Sequence, residues 1–236
     1  FITDINILNK LGISFAVVHG GGPRIKRELD KSNIQSKFIR GLRVTDKRII
    51  NIVESVLIDF NNDIVESLKK FGTNAVSIHT KKNNVIEVTS EVKELGFVGI
   101  PKKINNDLIE KILNQKQVPI ISPLGLGNDN HPYNINGDTA AGAIAKSLKS
   151  RRLLLMTNVE GVLDKDKKLI NEISSSDILK MVEDKTITEG MIPKINTCLD
   201  AVNNGVTAVG IIDGRKQHSI LFEIFSDKGS GTLIRK

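Results

Sequence analysis

Tyr133-Asn134-Ile135-Asn136-Gly137-Asp138-Thr139-Ala140-Ala141-Gly142, continued by Ala143-Ile144-Ala145-Lys146-Ser147-Leu148, is the stretch on which the reading of this chain turns. Read as extended as far as Asp138, its side chains alternate, so Asn134, Asn136 and Asp138 share one face while Tyr133, Ile135 and Gly137 share the other. Asp138 or Thr139 is then placed to cap a helix whose small residues (Ala140, Ala141, Gly142, Ala143, Ala145) allow close packing. Two amides and a carboxylate at the mouth of a helix suit a charged ligand with a cation or lysine partner. An Asx-rich turn that only caps the helix accounts for the same residues equally well.

Towards the N-terminus, Ile2, Ile5, Leu8 and Leu11 fall at helical spacing, and residues 13–18 read as a buried strand. His19-Gly20-Gly21-Gly22-Pro23 breaks that strand before a helix over 24–29. Strand, glycine loop and helix make an anion-binding arrangement, because glycines let backbone N–H groups approach a ligand and the helix offers its positive end. The spacing is neither the dinucleotide fingerprint nor the Walker A loop, and a tight strand-to-helix turn is the plain alternative. Residues 38–45 read as a loop that ends at Asp46, the start of a long helix over 47–71. Within the loop Arg43 offers a guanidinium fork for a carboxylate, unless it is an ordinary solvated arginine. Residues 73–79 and 84–89 predict two strands joined as a hairpin through Lys81-Lys82-Asn83-Asn84, with His79 at the surface. A helix over 105–115, a buried strand over 118–122 and a polar, glycine-rich hairpin lead back to the opening stretch.

Beyond Leu148 the alternation resumes with a strand over 153–157, a loop at 158–162 and a helix over 176–183. The helix over 192–204 carries Pro193 in its first turn and has Gly205 past its end. Lys194 sits in that first turn, where the helix dipole disfavours a cation unless an anion is bound beside it. A strand over 208–212 then runs into Asp213-Gly214-Arg215. Repeated strands and helices predict an α/β fold with a mostly parallel central sheet, in two lobes, 1–148 and 149–236.

Composition narrows the function. The 236 residues are 39% hydrophobic, ample for a buried core. Lys and Arg number 34 against 27 Asp and Glu, a net charge of +7 that favours anionic partners. With no Trp, one Tyr and scattered lysines, the pattern argues against nucleic acid and for small anions such as phosphates and carboxylates. No apolar run reaches membrane-spanning length and no signal-peptide pattern is present. The single cysteine, Cys198, reads as a small core residue in a reducing compartment, so the expected location is cytoplasmic. No metal site built from protein side chains is expected.

Taken in order, H-G-G-G-P at 19–23, G-L-R-V-T at 41–45, Y-N-I-N-G-D at 133–138, N-V-E-G-V at 158–162, E-G-M-I-P-K at 189–194 and I-I-D-G-R at 211–215 resemble the acetylglutamate kinases of the amino acid kinase family over essentially the whole chain. The resemblance implies a three-layer α/β/α fold with an acyl-amino-acid lobe followed by an ATP lobe. The implied reaction is MgATP-dependent phosphorylation of the side-chain carboxylate of N-acetyl-L-glutamate, an early step of arginine synthesis. It also implies roles. Gly20 and Gly21 would contact the substrate and the transferring phosphoryl, and Arg43 and Asn134 would hold the α-carboxylate and acetamido group. Asp138 would orient active-site lysines, and Lys194 would stabilise the phosphoryl group. Asn158, Val159, Glu160, Gly161, Val162, Leu163, Thr186, Ile187 and Thr188 would line the nucleotide site, with Mg²⁺ carried by ATP. The chain would assemble as a homo-oligomer, a dimer or a hexamer, with arginine as a candidate effector.

Four features depart from the family pattern. The lysine and glycine pair of the family's first strand would lie upstream of Phe1, Asn158 stands where Asp is frequent, and His79-Thr80-Lys81-Lys82 replaces a glycine-containing turn. Gly210 stands where arginine-sensitive members carry histidine. Alternative readings are a sister kinase acting on another acid, or a nucleotide- or amino-acid-binding regulatory subunit.

Overall fold

The computed structural model describes residues 1–187 and 191–236, so Thr188, Glu189 and Gly190, one of which was assigned above to the nucleotide site, lie outside the described residues. The chain divides into two compact units, one of Ile2–Ala141 and one of Phe1 together with Gly142–Lys236. Both are α/β, as the alternation of elements predicts, with parallel strand pairs in their sheets.

The first unit begins with helix α1 (Ile2–Lys10), strand β1 (Val17–Val18) and helix α2 (Gly22–Lys31). The strand expected over 13–18 is thus paired only at its end. A short hairpin, β2 (Phe38–Ile39) and β3 (Leu42–Arg43), turns through Arg40 and Gly41, both at positive φ (50° and 78°), as a type I′ hairpin turn requires. The long helix α3 (Lys47–Lys70) starts where Asp46 predicts: its Oδ1 accepts from the backbone N–H of Arg48 and Ile49, both at 2.8 Å. Such a cap is worth about 1 kcal/mol. Ile49, Ile50, Val53 and Leu57 recur at helical spacing on α3 and pack with Ile25 and Leu29 of α2 and with Leu124. Leu57 is 1% exposed, and burying a leucine contributes about 1.5–3 kcal/mol.

The rest of the unit comprises β4 (Ala75–Ile78), β5 (Ile86–Ser90), β6 (Gly99–Ile104), α4 (Asn106–Asn114), β7 (Val118–Ile121), β8 (Leu124–Leu126) and β9 (Pro132–Asn134). β7 lies between β1 and β4, parallel to both. A second sheet runs β6-β5-β8-β9. The hairpin expected between 73–79 and 84–89 is therefore not formed. The turn closes only an isolated bridge between His79 and Lys82, and then β4 and β5 go to different sheets. The fully buried β7 takes β4, while β5 pairs antiparallel with β6, a strand whose Pro101, Lys102 and Lys103 hide it in the sequence. His79 is consequently buried, 7% exposed, rather than on the surface. Burial lowers its pKa, with Lys82 and Lys81 acting in the same sense against Glu54.

Helix α5 (Gly137–Ser147) runs across the division between the units. Its cap is Asn136, not Asp138 or Thr139: Asn136 Oδ1 accepts from the N–H of Asp138 (2.9 Å) and of Thr139 (3.2 Å). The extended segment ends at Asn134. Asp138 already lies in the first helical turn, so strand alternation does not set its direction.

The second unit contains β10 (Arg152–Thr157), β11 (Glu172–Ser174), α6 (Ser175–Glu183), α7 (Ile192–Asn203), β12 (Ala208–Asp213), α8 (Ser219–Phe225) and β13 (Gly231–Arg235). Its sheet runs β10-β12-β13-β11, parallel at both outer pairs and antiparallel between β12 and β13. β12 is buried throughout, and Cys198 on α7 is fully buried, as a small core residue should be. Among the described residues no helix is long and apolar enough to cross a membrane.

Candidate functional site

A cavity of about 190 Å³ opens in the first unit, and Gly20, Gly21, Arg43 and Asn134 all line it. Its walls are apolar where Ile25, Phe38, Leu57 and Val98 contribute. The polar groups come from two helix starts, Arg43 and Asn134 at the end of β9.

The glycine turn supplies the first helix start. Pro23 stands at the beginning of α2, where its missing N–H costs nothing, and Gly21 precedes the helix as its cap residue. The second is the start of α5, where Asn136 and Gly137 line the same cavity. The two starts nearly touch: a Cβ added at Gly137 would lie 3.8 Å from Gly20 Cα. Two positive helix ends facing one cavity favour an anion.

Arg43 is only 9% exposed. Its guanidinium donates to Ser36 Oγ and sits over the Phe38 ring, 4.8 Å from the centroid. Burial lowers its pKa from the usual arginine value, yet a guanidinium remains charged at neutral pH. A desolvated, oriented cation at the edge of a cavity is suited to a carboxylate.

Arg43 and Asn134 reach one cavity because residues 95–98 stitch their strands together. The Thr45 N–H donates to Leu95 O (2.9 Å), the Phe97 N–H to Thr45 O (2.7 Å) and the Asn134 N–H to Phe97 O (2.9 Å). Phe97 also packs against Tyr133, with ring centroids 5.5 Å apart. Gly96 makes the stitch fit: it adopts φ 68°, and a Cβ there would fall 2.4 Å from Thr45 O. Only glycine tolerates both.

Behind the glycine turn lies a buried polar group that the sequence reading passed over. His19 is 6% exposed; its Nδ1 is 2.7 Å from Gly20 O, and its Nε2 is 3.0 Å from Ser122 Oγ and 3.2 Å from Asn61 Nδ2. Desolvation brings its pKa to about 4, with the Arg24 charge adding to the effect and the Gly20 hydrogen bond opposing it. A histidine abutting three glycines was a usable signal, but Asn61 and Ser122 carry no local pattern that marks them.

The remaining assigned residues fall elsewhere. Asp138 is half-buried in the first turn of α5, and Lys194 is half-buried in the first turn of α7 in the second unit. The loop 158–163 follows β10, and the adjacent parallel strand β12 ends in step with it, Thr157 opposite Asp213. Glu160 pairs with Lys216 at 2.8 Å, joining the loops that leave these two strands. Val162 N–H donates to the buried Thr232 Oγ1 at 2.7 Å, next to Gly161 at φ 150°. Val162 and Ile187 are buried in the core (2% and 6% exposed), and their backbone N–H groups are already engaged, Val162 with Thr232 Oγ1 and Ile187 with Met181 O (3.0 Å). Thr186 is held by Asp184, whose carboxyl the Thr186 and Lys165 hydrogen bonds lower to about 2. Asp213 is lowered to about 2 by the Arg215 guanidinium that chelates it, Nε to Oδ1 at 2.9 Å and Nη2 to Oδ2 at 2.8 Å. Loops at the carboxyl ends of parallel strands are where open α/β sheets hold ligands. Among the described residues no group of three or more His, Cys, Asp or Glu could hold a metal ion.

Comparison with known proteins bears on the chain as a whole. Residues 1–213 match the model of the amino acid kinase family. Acetylglutamate kinase of Pelagibacter ubique is 56% identical over 236 residues, covering 100% of this chain and 82% of that protein. Acetylglutamate kinase of Methylobacterium nodulans is 43% identical, again over 100% of this chain and 82% of the relative. The crystal structure of smu.665 from Streptococcus mutans superposes with a TM-score of 0.86 at 32% identity, covering 100% of this chain and 91% of that one. With the glycine turn, the arginine and the helix starts in place and the family pattern running along nearly its full length, the chain belongs to the amino acid kinase family.

Proposed function

We propose that this chain transfers the γ-phosphoryl group of MgATP to the side-chain carboxylate of N-acetyl-L-glutamate. The observation that supports this most is the convergence of Gly20, Gly21, Arg43 and Asn134 on one cavity of the first unit, in a chain 56% identical to an acetylglutamate kinase.

The chemistry needs no general base, because the attacking carboxylate is already ionised at neutral pH. One of its oxygens forms a bond to the γ-phosphorus as the bond from that phosphorus to the β,γ-bridging oxygen breaks, and ADP leaves. The difficulty is bringing an anion up to a polyanion, so catalysis rests on alignment and charge neutralisation. Arg43 takes the α-carboxylate and Asn134 the acetamido group. The starts of α2 and α5 turn N–H groups and positive dipole ends towards the anions. Lys194 neutralises charge on the transferring phosphoryl, and Asp138 orients the lysine. The nucleotide is held by 158–163 and by Thr186, Ile187 and Thr188, where the carboxyl ends of β10 and β12 and the Glu160–Lys216 pair suit that role. Mg²⁺ arrives with the nucleotide and supplies charge neutralisation between its phosphates.

The test uses full-length protein with MgATP, candidate acids and hydroxylamine, which traps acyl phosphates as hydroxamates. Hydroxamate is expected with N-acetylglutamate and little with aspartate or glutamate; no product with any acid sinks the reading in favour of a regulatory subunit. Arginine as an effector and a homo-oligomeric state belong to the same proposal. Activity unchanged by millimolar arginine removes the effector, and a monomer by sedimentation removes the assembly.

A further inference from the structure

His19 does more than fill space behind the glycine turn. The Gly20 carbonyl can only accept a hydrogen bond, so the Nδ1 that lies 2.7 Å from it carries the proton. The Asn61 amide nitrogen can only donate, so the Nε2 at 3.2 Å is the unprotonated nitrogen, with Ser122 Oγ, which also reaches Leu57 O (3.4 Å), 3.0 Å from it. The amide of Asn61 is itself fixed, because its nitrogen donates to Ile120 O (2.9 Å) and its oxygen accepts from Ser77 Oγ (2.6 Å). The Phe60 ring meets the imidazole edge-on at 5.1 Å. The imidazole is therefore locked in one tautomer and one orientation by α3, β4 and the end of β7.

That lock has a consequence for the turn. The Gly20–Gly21 peptide is trans, so the Gly20 C=O and the Gly21 N–H lie in one plane and point in opposite directions. With the carbonyl held by the buried imidazole, the N–H is turned away from that imidazole, and both Gly20 and Gly21 line the cavity. Three successive glycines have no side chains to choose between the two orientations of that plane, and glycine backbone accepts either. Something else must choose.

We propose that His19 is a positioning residue: by donating Nδ1–H to the Gly20 carbonyl it fixes the Gly20–Gly21 peptide plane and aims the Gly21 N–H at the anionic groups that meet in the cavity. This rests on the kinase reading above. Asparagine places an amide donor near the position of Nδ1, whereas glutamine places its polar end near Nε2. His19→Asn thus keeps the hold on Gly20 and loses the deeper network, and His19→Gln does the reverse.

Full-length wild-type protein is assayed first by hydroxamate trapping, so that a failure of the kinase reading shows in the wild type alone. The ¹⁵N spectrum of its His19 ring should then show the Nδ1-protonated tautomer; an Nε2-protonated ring overturns the proposal without reference to activity or to the folding of any variant. Among variants, kcat should fall about tenfold to a hundredfold in His19→Gln with KM for both substrates within about threefold, as for loss of an aimed backbone donor. His19→Asn should stay within about threefold of wild-type kcat, and Ser122→Ala should lower the melting temperature while leaving kcat in place. Equal losses in His19→Asn and His19→Gln, or losses that simply follow the melting temperatures, overturn it.

Discussion

The cavity of the first unit and the proposed nucleotide loop of the second are built on different plans. The cavity draws Gly20, Arg43, Asn134 and Asn136 from separated segments, and fixed backbone hydrogen bonds hold those segments in place. The loop at 158–163 is one contiguous run, held by a buried threonine, by backbone contacts with residues 169–170 a few positions on, and by an ion pair whose members are about half exposed, 53% for Glu160 and 48% for Lys216. A small acid must be held with its carboxylate at one angle, which rewards a stiff enclosure. A nucleotide brings its own charge and much of its own binding area, so a loop at the end of two strands can suffice.

The largest effect should come from the second unit. Lys194→Ala should lower kcat by about a hundredfold or more with little change in KM, since in the proposed mechanism its charge acts chiefly in the transition state. Unchanged turnover by hydroxamate assay would remove it from the mechanism and leave catalysis to the glycine turn. Arg43→Ala should do the opposite. KM for N-acetylglutamate should rise about tenfold to a hundredfold, from the roughly 1.5–3 kcal/mol of a charge-assisted hydrogen bond, while KM for MgATP holds. A matching rise in both constants would break the division of labour between the units.

Acid should separate the two units as well. His19 has its pKa lowered from 6.5 to about 4, so the unfolded chain binds the extra proton first, and stability falls as pH drops from about 6.5 towards 4. The loss amounts to about 3 kcal/mol at 1.36 kcal/mol per unit. The second unit's Asp213, lowered from 3.8 to about 2, stabilises the fold above the unfolded value and loses that contribution only as pH falls below about 4. Melting curves between pH 7 and 4 should therefore shift, and the shift should shrink in His19→Asn; an equal shift in that variant would place the acid sensitivity elsewhere.

Two smaller changes sharpen the contrast between stiff and loose construction. Gly96→Ala meets both the positive φ and the Thr45 carbonyl. It should cost about 1–3 kcal/mol and raise KM for the acid, measured by denaturant titration and kinetics. Lys216→Ala removes only an exposed pair and should cost less than about 1 kcal/mol, with any rise in KM for MgATP fading at high salt.

What could be read from the sequence follows the same line between local and distant causes. The long helix at Asp46, the buried strand β7 and the helix α7, bounded by Pro193 and Gly205, declare themselves through periodicity and end signals within a few residues. The pairing of β4 does not, because the turn at Lys81–Asn84 locally favours a hairpin, while the partner that wins, β7, lies far along the chain. β6 escaped because a proline and two lysines break its pattern, and its place is set by β5. At the site, glycines and the arginine were legible as residue types. Asn136, not Asp138 or Thr139, caps α5, because short polar side chains at neighbouring positions offer the same capping chemistry. His19 was visible but mute, since its meaning depends on Asn61 and Ser122, which only the folded chain brings to it.

The stitch at residues 95–98 also bears on how the molecule acquires its cavity. Thr45, Phe97 and Asn134 are linked by hydrogen bonds that each close a long stretch of chain, whereas α3 and its cap form from neighbours. Closing long loops costs entropy before their contacts reward it. A chain emerging during synthesis can build its helices early, yet the Phe97 carbonyl has nothing to receive until Asn134 arrives. The frame of the cavity thus closes late in synthesis, once residues up to Asn134 are present.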